Sequence, residues 1–235
     1  MGASYHQFCP VAKAMELLDE RWTLLVIREL LAGSQRFNQL RRGLPQMSPA
    51  LLSRRLHQLT VAGLVVRTDD EGSGTRYRLS PAGQELEPVV HQIGSWGARW
   101  IGEIGDRDLD PKLLMWDLHR RVVRGVLPEG RTVLGFRFDD IDPRRGHWWL
   151  VISADDVDVC DRDPGFDVGA QVNTSLRTMI KIWRGDLSWQ AATRAGLLTV
   201  EGVLPLCRLL PQVFELPGKT WHVGDGRVTA GGAPM

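Results

Sequence analysis

The chain has 235 residues, 43% of them hydrophobic and 24% charged, with a formal net charge of +1. That is enough sequence to bury one large core or two moderate ones, and the composition is that of a globular protein without a low-complexity tract. Three widely separated cysteines, Cys9, Cys160 and Cys207, exclude a disulfide scaffold and lack metal-ligand spacing. No apolar run approaches the roughly 18 residues that span a bilayer.

No signal-peptide pattern stands at the start, so a cytoplasmic location with no membrane partner is expected. The charge is unevenly distributed. Between residues 34 and 68 there are six arginines (Arg36, Arg41, Arg42, Arg54, Arg55, Arg67) and no acid, whereas residues 106–235 carry 17 basic and 18 acidic residues. Such asymmetry points either to nucleic acid or to a solvated basic face.

In chain order, Pro10 opens a helix through Val11, Ala14, Met15 and Leu18, where its fixed φ suits the first turn. A strongly apolar helix follows over 22–31, and a short third helix over 36–42 ends at Gly43. Ser48 is a natural N-cap and Pro49 a first helical residue for a fourth helix ending near Ala62. Its Leu52, Leu56 and Leu59 form a core face, with Ala50, Ser53, Arg54 and His57 on the other side. Strands at 64–68 and 76–80, joined by a Gly-containing turn, form a hairpin. A helix from 81 to 104 carries an apolar stripe including Ile93, Trp96 and Trp100, wider than a small domain covers.

Two helices joined by a tight turn and followed by a hairpin describe a winged helix-turn-helix, whose second helix enters the major groove. The expected DNA-binding residues are Arg36, Ser48, Pro49, Ala50, Ser53, Arg54, Arg55, His57, Arg76 and Arg78. Arg54 suits a guanine edge or a phosphate. Arg36 and Arg55, with Arg41 and Arg42, suit phosphates, and Arg76 and Arg78 sit on the hairpin. The alternative is a small helical domain with scattered surface arginines.

Cys9-Pro10, the stretch Arg21-Trp22-Thr23-Leu24-Leu25, then Arg36-Phe37-Asn38-Gln39-Leu40, Ser48-Pro49 with Leu51-Leu52-Ser53-Arg54-Arg55-Leu56, Tyr77-Arg78-Leu79-Ser80-Pro81 and Trp96-Gly97 together resemble the HxlR family of transcriptional regulators over about residues 5–104. The resemblance implies a homodimer on a two-fold symmetric double-stranded DNA operator, with terminal helices at the dimer interface. Two departures stand out. The hairpin tip reads Gly72-Ser73-Gly74 where the family usually carries proline, and Asp19-Glu20 replace two glycines. In some relatives the cysteine matching Cys9 senses oxidants. Against that, no resolving cysteine is near, and a small buried thiol explains it as well.

A polar linker at 103–112 leads to a second region read as α+β: a helix at 112–126, strands at 132–138, 147–153, 156–161 and 167–173, helices at 175–184 and 188–195, a strand at 198–201 and a helix at 204–214. Trp149-Leu150-Val151-Ile152, Val172-Asn173-Thr174-Ser175-Leu176 and Trp183-Arg184-Gly185-Asp186-Leu187-Ser188 resemble the sterol carrier protein type two-like domain. That resemblance implies an apolar ligand between sheet and helices, near Trp149, Met179, Trp183, Leu206, Leu210 and Phe214. The same residues equally suit a plain core, because pockets are mostly apolar too.

No catalytic motif, metal spacing or cofactor fingerprint is found, so no enzyme, cofactor or metal is expected. The fold class is α+β, in three parts: 1–105 winged helix-turn-helix with a dimerisation helix, 106–220 sterol-carrier-like, and 221–235 tail. The expected function is a dimeric DNA-binding regulator, a repressor rather than an activator, modulated by an apolar small molecule. The alternative is an apolar-ligand or lipid carrier whose N-terminal domain mainly dimerises.

Overall fold

The computed structural model describes residues 4–70, 74–101 and 104–216. The expected tail at 221–235 and hairpin tip at 71–73 lie outside the described residues. The described residues form two compact units, one drawn from those up to 93 with 112–117 and the other from those in 94–111 with those from 118 onward.

In the first unit, helix α1 (Pro10–Leu18) begins at its proline, as expected. Helix α2 (Thr23–Leu31) follows Trp22, which stands at φ +81°. A bulky residue reaches that left-handed region only where its surroundings hold it, and the Trp22 side chain packs against the unit's core. Helix α3 (Phe37–Gly43) starts where the Gln39 side-chain oxygen accepts the Gln35 and Arg36 N–H groups, each at 2.9 Å. Helix α4 (Pro49–Val61) starts where Ser48 Oγ accepts the Leu51 N–H at 3.3 Å, as its Ser-Pro start predicts.

Strands β1 (Val65–Asp70) and β2 (Gly74–Leu79) pair antiparallel in the register Val65↔Leu79 to Asp70↔Gly74. The Tyr77 N–H also donates to Gln35 O at 2.8 Å, and Arg36 and Arg76 form an isolated antiparallel bridge. The hairpin is thereby fastened to the connection between α2 and α3. Val26, Ile27, Leu30, Leu40, Leu52 and Leu56 lie at the centre of this core. Burying each such side chain contributes about 1.5–3 kcal/mol.

The single helix expected over 81–104 is instead two: α5 (Pro81–Gln84) and α6 (Glu87–Trp100). Pro88 is the reason. It has no N–H to donate to Gln84, and its ring would clash with that carbonyl, so the first helix ends and a new one begins. At Gly83 a Cβ would lie 2.2 Å from the Leu64 carbonyl oxygen, so only glycine lets α5 approach the start of β1 so closely.

Helix α7 (Pro111–Arg120) is shorter than the expected 112–126. Beyond it, the Val123 N–H donates to Val213 O at 2.7 Å, and Arg121 O accepts from the Glu215 N–H at 2.9 Å. The β-branched pair Val122-Val123 thus enters strand-like pairing in place of a helix, and a short 3-10 turn, Arg124–Val126, follows.

The second unit is built on a five-stranded sheet of β3 (Thr132–Phe138), β4 (His147–Ile152), β5 (Val157–Cys160), β6 (Ala170–Thr174) and β7 (Leu198–Gly202). Its order is β5-β4-β3-β6-β7. The β3–β6 pair is parallel and the other pairs are antiparallel. Alternation along the strands sets Leu134, Phe136, Trp148, Leu150, Ile152 and Val172 on one face, and all are buried. Gly135, Arg137, His147, Trp149, Gln171 and Asn173 occupy the other. Helices α8 (Leu176–Arg184), α9 (Trp189–Arg194) and α10 (Leu204–Val213) complete the unit. Ser175 Oγ and Ser188 Oγ cap α8 and α9, and Pro211 lies inside α10, as expected. In α8 the core positions are Leu176, Met179 and Ile182, with Ile180 and Trp183 only half-buried.

Candidate nucleic-acid interface

Helix α4 advances about 100° per residue. Its exposed residues Ala50, Ser53, Arg54, His57 and Val61 therefore share one stripe of about 100°, opposite the buried Leu52, Leu56 and Leu59. Ser48 and Pro49 are exposed at the N-terminal end of that stripe. A helix presenting small side chains near its N-terminus and one long cationic fork beyond them can lie deep in a major groove.

Arg55 departs from expectation. It is one of the six basic residues of the arginine-rich stretch, yet its side chain is only 4% exposed. Nη2 donates to Glu20 Oε2 at 2.7 Å and Nη1 to Gln58 Oε1 at 2.6 Å. Its place about 140° round the helix from Ala50 takes it off the exposed stripe and into an ion pair with the residue just beyond α1. The pair also explains half of the Asp19-Glu20 departure. The other half holds the N-terminal segment, since Tyr5 Oη donates to Asp19 Oδ2 at 2.7 Å. That hydrogen bond is the main reason the Tyr5 phenol titrates above its ordinary range.

The other predicted positions fall in two places. Arg36 is exposed at the start of α3, and its bridge to Arg76 brings these two backbones together. Arg78 is exposed two residues further along β2, while Tyr77 and Leu79 pack on the core. Arg41 is exposed at the end of α3. The Arg42 guanidinium lies 5.3 Å from the centre of the Trp116 ring. Arg67 donates to Asp69, whose carboxyl is held below its ordinary range first by the Thr75 hydroxyl and then by Arg67.

Glu29, Gln39 and Glu20 carry structure that the sequence reading passed over. Glu29 is 1% exposed and accepts from Arg28 at 2.8 Å. Its carboxylate fills the space where a Cβ on Gly43 would stand. Arg28 also donates to the Gly43 carbonyl, so one buried acid fixes the end of α3 against α2. The signal for Gln39 was present, as a polar amide three residues after a helix start. For Glu20 the partner is 35 residues away, and no local pattern shows it.

Apolar residues stand exposed on two helices of this region. Phe8 is 99% and Val11 69% exposed around the start of α1, and on α6 Ile93, Trp96 and Trp100 are 50–65% exposed. Cys9 is a free, half-buried thiol.

In the second unit the six residues expected around an apolar ligand are not all brought together. Met179, Leu206, Leu210 and Phe214 are buried, and the Phe214 ring lies 6.2 Å from Phe136. Trp149 lies on the opposite face of the sheet, with its ring against His147. Trp183 is half-buried. Among the described residues no group of three or more His, Cys, Asp or Glu is placed to hold a metal ion, and no helix is long and apolar enough to cross a membrane.

Four helices with a hairpin fastened beside them, and the fourth helix presenting a polar stripe, define the first unit as a winged helix-turn-helix. The family description "HxlR-like helix-turn-helix" matches residues 17–104. A relative named as an uncharacterized HTH-type transcriptional regulator, YvaP of Bacillus subtilis (strain 168), is 37% identical over 98 residues, 40% of this chain and 91% of its own length. A regulator so named from Synechocystis sp. is 35% identical over 95 residues, covering 40% and 70% of the two chains. Among solved structures, the reduced form of the transcriptional regulator YodB from B. subtilis is 29% identical and spans 43% of this chain and 100% of that one, with a TM-score of 0.36. The chain belongs to the HxlR-like helix-turn-helix family. Its relatives are transcriptional regulators, not enzymes.

Proposed function

We propose that this protein is a dimeric, sequence-selective DNA-binding repressor. The observation that carries the reading is the exposed stripe of α4, with Ser48, Pro49, Ala50, Ser53, Arg54 and His57 on one side of a helix whose other side is core. Arg36, Arg76 and Arg78 supply backbone contacts beside it, while Arg55 serves the fold. Phosphate contacts set the affinity and its salt dependence, and the α4 stripe sets the sequence. The exposed apolar residues of α1 and α6 form the contact with a second copy, because large aromatic surface left in water favours burial against a partner. A two-fold dimer then presents two copies of α4 to two half-sites about one helical turn apart.

The C-terminal region, from about residue 106 onward, holds an apolar small molecule between its sheet and helices in the manner of a sterol-carrier-like domain. The supporting residues are Met179, Leu206, Leu210 and Phe214, without Trp149. Ligand and DNA are coupled only if the two bound states differ in ligand contacts.

The test is binding to a fluorescent duplex carrying the gene's own upstream region, at several salt concentrations, for wild type and Arg54→Ala. Salt-dependent, sequence-selective binding by the wild type and its loss in the variant are expected. Equal, weak binding to random DNA would move the carrier reading to the front. Addition of fatty acids to the same assay tests the coupling, and unchanged DNA affinity at saturation would remove it.

A further inference from the structure

The exposed chemistry of α4 is narrow enough to specify what it reads. At the N-terminal end, Ser48 Oγ accepts the Leu51 N–H, which leaves its own O–H as a short donor, and Pro49 has no N–H to offer. The second arginine of the pair, Arg55, is buried against Glu20 and Gln58. Gln58, the helix's amide side chain, accepts from Arg55 and is half-buried. What remains on the stripe is the Ala50 methyl, the Ser53 hydroxyl, the Arg54 fork, the His57 ring and the Val61 side chain. Among the described residues Arg54 is the exposed cation of α4.

We infer that each half-site contains a guanine read by Arg54 and, within two base pairs of it, a thymine whose methyl group packs on Ala50. The inference rests on the DNA-binding reading above and deepens it. Guanine presents two acceptors, N7 and O6, at a spacing that the planar guanidinium matches with two N–H groups. The bidentate match to adenine is an amide that both donates and accepts, and the oxygen of the α4 amide, Gln58, already accepts from Arg55. Cytosine requires a carboxylate, and α4 carries none. Thymine is the base with an apolar group in the major groove, and Ala50 is the small apolar side chain one turn before Arg54. Four residues at 1.5 Å rise separate Ala50 and Arg54 by about 6 Å along the helix, the span of one to two base pairs at about 3.4 Å each.

The experiment is selection of bound duplexes from a random library with the full chain, followed by affinity measurement on the selected site with altered bases. Replacing the predicted guanine by 7-deazaguanine removes the N7 acceptor. Replacing the predicted thymine by uracil removes the methyl. Both changes leave the protein untouched, so folding does not enter. The wild type is expected to lose about tenfold to a hundredfold on the 7-deazaguanine site and a few-fold on the uracil site. Arg54→Ala, at an exposed position, is expected to bind the two guanine analogues equally and to select libraries without a fixed guanine. Tight, selective binding that ignores 7-deazaguanine and survives Arg54→Ala would overturn this inference and leave the regulator reading standing. Failure of the folded protein to select any sequence would overturn both.

Discussion

The N-terminal and C-terminal regions treat their apolar residues in opposite ways. The N-terminal region, up to Trp100, leaves Phe8, Val11, Ile93, Trp96 and Trp100 in solvent while burying a charged residue, Arg55, on the inner side of α4. The C-terminal region buries most of the large side chains expected around a ligand, with Phe214 against Phe136 and Met179 and Leu210 fully inside. Function is legible where a residue stands against its physical preference, as an exposed aromatic does. It is not legible where residues do what any core asks of them. A pocket wall and a packed core use the same side chains, so the buried side chains of the second unit do not single out a site.

The largest test of this contrast is in the cores. Phe136→Ala is expected to destabilise the second unit by about 3–5 kcal/mol and Leu56→Ala the first by about 2–5 kcal/mol, read as separate shifts in urea unfolding followed by amide exchange. If Phe136→Ala cost well under 1 kcal/mol, the Phe136 side chain would not be packed as its burial indicates.

Next in size is the exposed apolar surface. Trp100→Glu is expected to convert a dimer to a monomer at micromolar concentration by sedimentation, with little change in intramolecular stability because the side chain is 65% exposed. An unchanged dimer would place the interface elsewhere.

Smaller again is the Glu20–Arg55 pair. Arg55→Ala strips a buried fork of two partners and is expected to cost about 1–3 kcal/mol of stability, while Glu20→Gln keeps a hydrogen-bond acceptor and costs less. Both are expected to leave the salt dependence of DNA binding as it is, in contrast to Arg54→Ala. A reduced salt slope in Arg55→Ala would return that residue to the DNA.

The smallest effect is at acid pH. Lys13, followed by Ser4, holds the Glu16 carboxyl below its ordinary range. A depressed carboxyl contributes stability above its unfolded pKa, and that contribution is lost as pH falls through its folded value. The contacts of Ser4 and Tyr5 with Glu16 are therefore expected to persist through the ordinary glutamate range and to loosen only at more acid pH, visible as local chemical-shift changes without global unfolding.

Local rules carried most of the fold. Ser48-Pro49, Ser175 and Ser188 mark helix starts through caps that neighbouring residues satisfy, and alternation in 147–153 separates Trp148 from Trp149 by itself. That same alternation already argues against Trp149 as a pocket partner of Phe214, a consequence the resemblance obscured. Two errors were also local: Pro88 breaks a helix, and Val122-Val123 ends one early. What sequence reasoning could not reach was non-local. Glu20 selects Arg55 across 35 positions, and only the folded arrangement shows which of two adjacent arginines stays exposed.

The central claim, that the α4 stripe is the surface that meets DNA, is tested most directly by photo-crosslinking. A benzophenone amino acid placed at position 57, on the exposed side of α4, is compared with one placed at position 158, an exposed site on β5 of the second unit. With a selected duplex, strong crosslinks from position 57 and background from position 158 are expected. The reverse pattern would contradict the account.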